Sequence, residues 1–114
     1  MITLFIALWM LWAPLNGEEP SAPLPPRHLR GKTLKTEFLT QIEYAHKITW
    51  NPSDDPTVVG YKLRRNGLLI ATLLATDPAE YIDHQRPKKG VDVYALTAVN
   101  IEGVESEPVI RKVK

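Results

Sequence analysis

Cysteine is absent from the 114 residues. That excludes disulfide staples and thiolate metal sites, so a small domain must take its stability from its core alone. An excess of one charge sign is missing too. Fourteen Lys and Arg against 13 Asp and Glu leave a formal net charge of +1, without the basic surplus of a general nucleic-acid binder. The three histidines, His28, His46 and His84, stand too far apart for a metal-ligand spacing. There is no Gly-rich phosphate loop and no G-x-S-x-G elbow. After residue 20 no stretch sustains a helical period, although residues 32–41 are ambiguous and have room for a short helical turn. Asp54-Asp55 is a carboxylate pair that suits a hard cation. It sits between Pro52 and Pro56, where a solvated turn is the simpler reading. No enzyme activity, cofactor or metal is expected.

Charge is also missing from residues 1–17. Residues 2–12 form a nearly unbroken apolar run, the length of an export-signal core and short of the roughly 20 residues a membrane span needs. Leu15-Asn16-Gly17 offers an imperfect small-residue cleavage edge, and a basic start is missing. Residues 1–17 are therefore expected to be a cleaved export signal, with an uncleaved membrane anchor and a buried first element as the alternatives. Without cysteine, a bacterial lipoprotein is excluded. Residues 18–26, EEPSAPLPP, hold four prolines in nine and are expected to be an extended spacer. Residues 27–114 are expected to form the domain, and 44% hydrophobic residues suffice for a packed core.

Asn66-Gly67 is the strongest turn signal, because a two-residue type I′ turn needs φ > 0 at both central positions. Before it, Tyr61, Leu63 and Arg65 share one strand face, and Lys62 and Arg64 share the other. Leu68, Leu69, Ile70 and Leu73 give a mostly apolar strand after it. Upstream, Ile42, Tyr44, His46, Ile48 and Trp50 alternate with Glu43, Ala45, Lys47 and Thr49, followed at once by turn-rich NPSDDPT. A short strand near residues 80–83, the polar turn HQRPKKG, a β-rich run over residues 91–100 and a last strand within 104–113 complete the pattern. Roughly seven short strands separated by turns predict an antiparallel, immunoglobulin-like sandwich. Trp50, Tyr61, Leu63, Tyr94, Leu96 and Ala98 are expected to face its core.

From about residue 25 to 108 the chain resembles a fibronectin type III domain, of the kind appended to secreted bacterial glycosidases and surface proteins. The resemblance rests on ordered pieces: Pro25-Pro26 at the opening, Ile48-Thr49-Trp50, Gly60-Tyr61-Lys62-Leu63 with Arg65-Asn66-Gly67, Tyr81-Ile82-Asp83, and residues 94–100 with Gly103 and Glu105-Ser106. It implies an all-β, seven-stranded fibronectin type III sandwich acting as a binding or spacing module. The family's Arg-Gly-Asp adhesion tripeptide is not in the corresponding loop, Asn100-Ile101-Glu102-Gly103.

Three departures from the family pattern stand out. Its corner Tyr is replaced by Asp92 and a companion Leu by Arg86. Either these two pair as ions, or the strand slips by two residues and Tyr94 takes the corner. The segment between Pro26 and Trp50 runs a few residues longer than usual. His46 occupies a position that is usually apolar, and a place at the sandwich end with one wet edge is expected for it, with a buried pH-sensing or ligand-binding role as the alternative.

Cations cluster at Lys62 and Arg64, at Arg86, Lys88 and Lys89, and at Arg111, Lys112 and Lys114. These either solvate outer faces or form a patch for an acidic partner. The candidate interaction surface is Lys62, Arg64, Arg86, Lys88 and Lys89. The functional expectation is a non-catalytic, secreted or cell-surface module that binds a protein or a surface polymer, not nucleic acid. The alternative is a structural or spacer subunit of a larger assembly, held at the membrane by an uncleaved N-terminus.

Overall fold

A computed structural model describes residues 21–114, and the expected export signal lies outside the described residues. Seven strands form: β1 (Arg27–Phe38), β2 (Gln41–Asn51), β3 (Val58–Arg65), β4 (Leu68–Leu74), β5 (Glu80–Arg86), β6 (Asp92–Asn100) and β7 (Val109–Val113). They build two antiparallel sheets, ordered β1-β2-β5 and β4-β3-β6-β7. The expected all-β, seven-stranded sandwich is what forms.

Alternation along the strands explains the closure. On β3, Tyr61 and Leu63 turn inward, and on β6 Tyr94, Leu96 and Ala98 do the same. Ile48 and Trp50 of β2 meet them from the other sheet. All six expected core residues are buried, Leu63, Tyr94, Leu96 and Ala98 completely. The Trp50 and Tyr61 rings lie 5.8 Å apart at a tilted angle, and the Tyr61 hydroxyl accepts from the Ser53 N–H at 2.9 Å.

Several boundaries differ from the sequence reading. Residues 32–41 contain no helical turn: β1 runs on to Phe38 and pairs with β2 up to Phe38↔Gln41. Thr33, Leu34, Thr36 and Phe38 suit an extended strand, and pairing to a long partner decided between two weak local preferences. Gly31 lets β1 lie close against Val113, where a Cβ would collide with the valine side chain. β5 continues through residues expected to be turn, with a bulge at Gln85, whose φ is 54°. Residues 21–26, expected within a free spacer, lie along the domain. Pro23 and Pro26 are buried, the Leu24 N–H reaches Asp55 Oδ2 at 3.1 Å, and Asn100 Nδ2 donates to the Ser21 carbonyl. The prolines pack there because their fixed backbone loses little entropy on docking.

Antiparallel pairing sorts the loops to two ends. The Leu39-Thr40 turn, the Asn66-Gly67 turn, the β5–β6 turn and the end of β7 share one end. Residues 21–26 and the β2–β3, β4–β5 and β6–β7 connections share the other.

Candidate interaction surface

Between the sheets, near the end that carries both tight turns, the apolar core gives way to charge. Arg65 completes the inward face of β3 and crosses to β5, where Nη1 donates to both oxygens of Asp83 at 2.8 Å. The Tyr94 hydroxyl donates to Asp83 Oδ2 at 2.5 Å. That occupies its proton, so His46 Nδ1, 2.9 Å from the same hydroxyl, carries a hydrogen and donates. Arg86 Nε donates to Asp92 Oδ2 at 3.0 Å, and Asn66 Nδ2 donates to Asp92 Oδ1 at 3.0 Å. Two arginines thus face two carboxylates around a Tyr–His pair.

Of the two corner alternatives, the Arg86–Asp92 pair forms, but as side chains only 15% and 11% exposed rather than as a solvated surface pair. Tyr94 is buried, and its hydroxyl bonds to the Asp83 side chain 11 residues upstream rather than to backbone. His46 is 2% exposed, so the expected wet edge is not there. Strand pairing of His46 with Asp83 and Thr33 seals it between β1 and β5.

Titration follows from these contacts. Burial holds His46 below the usual imidazole range, against the pull of the Asp92 carboxylate. Burial pushes Asp92 up, but hydrogen bonds from Asn66 and Arg86 outweigh it and leave the carboxyl below its ordinary value. Burial, and then the bond to Asp83, raise Tyr94 far above the phenol range. The cluster is saturated with its own partners and ties the sheets together.

The five expected surface cations fall into three places. Lys62 and Arg64 lie on the outer face of β3, as their alternation with Tyr61 and Leu63 requires. There they converge on Glu105: Arg64 Nη1 donates at 2.8 Å, Lys62 Nζ stands at 3.8 Å, and the Thr97 hydroxyl adds a bond of 2.8 Å. The Arg64 and Thr97 bonds hold Glu105 below the usual carboxylate range. Arg86 departs from the expected patch, because its guanidinium turns inward to Asp92 and Asp83. Lys88 and Lys89 are exposed in the β5–β6 turn. Neither pairs with a carboxylate among the described residues.

A feature the sequence reading passed over lies beside those lysines. β5 ends against Tyr44, so three residue pairs of the β1–β2 hairpin, from Thr36↔Glu43 to Phe38↔Gln41, run on past it. At about 3.4 Å per residue the projection is roughly 10 Å before the turn. Phe38 is 58% exposed, Leu39 108% and Ile42 54%. Leu39 also has φ at 46°, a left-handed conformation that a leucine adopts at a steric cost. A cleft of about 420 Å³ opens where the hairpin leaves β5, lined by Phe38, Ile42, Tyr44, Gln85 and Arg86 among others. The extra length between Pro26 and Trp50 was the available signal for this projection.

No family model matches the sequence. No curated protein matches it either. Solved structures do. A Fn3-like protein from Clostridium thermocellum superposes with a TM-score of 0.59 at 23% identity, over 82% of this chain and 94% of that one. The fold is fibronectin type III-like. The central fibronectin-III array of RIM-binding protein matches this sandwich with a TM-score of 0.58 at 16% identity, over 78% of the present chain. The Clostridium perfringens spore cortex lytic enzyme SleM matches with a TM-score of 0.57 at 16% identity, over 79%. The fibronectin type III-like chain spans only 35% of the RIM-binding protein chain and 28% of the SleM chain. At these identities the likeness is one of fold.

Proposed function

We propose that this chain is a non-catalytic, exported interaction module, and that it docks through the end of the sandwich that carries the β1–β2 hairpin and the β5–β6 turn. One observation carries the reading. The groups able to do acid–base chemistry, His46, Asp83, Asp92 and Tyr94, are locked to one another inside. Apolar Phe38, Leu39 and Ile42, exposed on the projecting hairpin, share one end with the unpaired cations Lys88 and Lys89, while other exposed apolar residues such as Leu74 and Ile101 lie away from it. Exposed apolar groups beside unpaired cations are a surface made for a partner. Of the cations expected from sequence, Lys88 and Lys89 are the ones assigned to docking. Lys62 and Arg64 share Glu105, which cancels one of their two charges, and Arg86 braces the interior.

The tests are direct. N-terminal sequencing of the mature protein is expected to begin at or near Glu18, and full-length chain recovered from washed membranes would favour the tethered alternative. Crosslinking on the native cell surface is expected to give adducts from the hairpin end. Adducts only through the outer face of β3, at Lys62 and Arg64, would overturn the assignment.

A further inference from the structure

We infer that the β1–β2 hairpin is a membrane-docking element that inserts Leu39 and Phe38 into an anionic lipid surface while Lys88 and Lys89 meet the headgroups. The inference rests on the proposed docking end and names its partner. Three observations carry it.

The tip is apolar where a soluble turn has no reason to be. A two-residue hairpin turn favours Asn, Asp or Gly, and the same chain uses Asn66-Gly67 for its other tight turn. At Leu39 it places a fully exposed leucine in a left-handed conformation. An exposed apolar side chain on a strained backbone is the pattern expected where function sets the residue.

The second observation is charge complementarity. Lys88 and Lys89 are exposed in the turn after β5, at the same end of the sandwich as the hairpin tip. Apolar groups at a tip with cations at the same end of the domain suit a bilayer rich in acidic lipid. Of the hairpin's own carboxylates, Glu37 pairs with Lys35 at 3.1 Å, and Glu43 accepts a hydrogen bond from His84 at 2.8 Å.

The third is polarity of the molecule. Residues 21–26 dock at the far end, beside Asn100 and Asp55. The hairpin therefore points away from the place where the N-terminal segment joins the domain, and the two possible membrane contacts can be told apart.

The test uses the full chain. Because it has no cysteine, Leu39→Cys and Glu102→Cys each accept a single polarity-sensitive fluorophore, one at the hairpin tip and one at the far end. With vesicles of phosphatidylglycerol and phosphatidylcholine, the label at position 39 is expected to shift to the blue and to be quenched by a lipid-borne quencher. The label at 102 stays aqueous. Leu39→Asn in otherwise unlabelled protein is expected to weaken partitioning at least about tenfold. Lys88→Glu with Lys89→Glu is expected to do the same at low salt and little at 1 M, where the Debye length falls to about 3 Å.

A label at 39 that remains aqueous on anionic vesicles overturns the lipid assignment, and a label at 102 that enters instead shows binding by the N-terminal segment alone. If Leu39→Asn then still lowers capture on the native cell surface, the docking end stands with a protein partner. If it lowers neither, the docking end falls as well.

Discussion

The two tight hairpin turns face the same end of the sandwich and are built from opposite chemistry. At Asn66-Gly67 both residues have positive φ, 51° and 86°, and both tolerate it. The Asn66 side chain donates to Asp92, accepts from the Val93 N–H at 2.9 Å, and its own N–H bonds the Val93 carbonyl at 2.8 Å. That turn is sewn to β6 and, through Asp92, to the charged interior. At Leu39-Thr40 the backbone is strained, and the side chain at its apex is bare to solvent. One turn closes the fold; the other spends stability on a surface. Turn chemistry can therefore be judged by what it gives up as well as by what it favours.

The comparison breaks most severely if the tied side is cut from within. Asp83→Ala removes the carboxylate that holds Arg65 and Tyr94. It is expected to cost about 3 kcal/mol in urea unfolding, the lower end for an orphaned buried pair, because the Arg65 side chain keeps 21% of its surface in water. A cost below 1 kcal/mol would show that the interior charges do not brace the sheets.

Next in size is the turn itself. Asn66→Ala leaves Asp92 and the Val93 N–H short of a partner each and replaces a residue that tolerates positive φ with one that tolerates it less. An increment of about 1–3 kcal/mol is expected, against no measurable loss for Thr40→Ala in the other turn.

Acid provides a third test. His46 has its pKa lowered on folding, so the native state favours its neutral form, and the stability it contributes is present above the unfolded value of about 6.5 and lost as pH falls through the lower folded value. Asp92 is depressed too, and its contribution is lost only as pH falls below the ordinary carboxylate range. Unfolding free energy is expected to decline in two stages, and His46→Gln is expected to erase the first while sparing the second. A single decline confined to the carboxylate range in the unaltered protein would contradict the burial of His46.

The smallest effect has the opposite sign. Leu39→Asn relieves the left-handed strain and is expected to raise stability by up to about 1 kcal/mol. A stabilised protein that docks less well would set the two turns apart most cleanly, and a destabilised one would mean that Leu39 packs against something in the folded chain.

The sequence by itself determined most of the sheet-forming segments, the Asn66-Gly67 turn and the inward faces of β2, β3 and β6. Those signals are local, because alternation and turn chemistry are written within a few residues. It also placed Arg65 on the core side of its strand, where a charge demands a partner, without naming one. Only the tertiary structure decided that the partner is Asp83, that His46 is sealed against Tyr94, and that Arg86 turns inward rather than joining Lys88 on the surface. Those contacts join residues 18, 48 and 6 positions apart across separate strands, and no short-range pattern encodes a pairing between elements. The projecting hairpin was hidden for the same reason. Residues 32–41 have no decisive local preference, and they became strand because β2 continued beyond the end of β5 and offered them a ladder to complete.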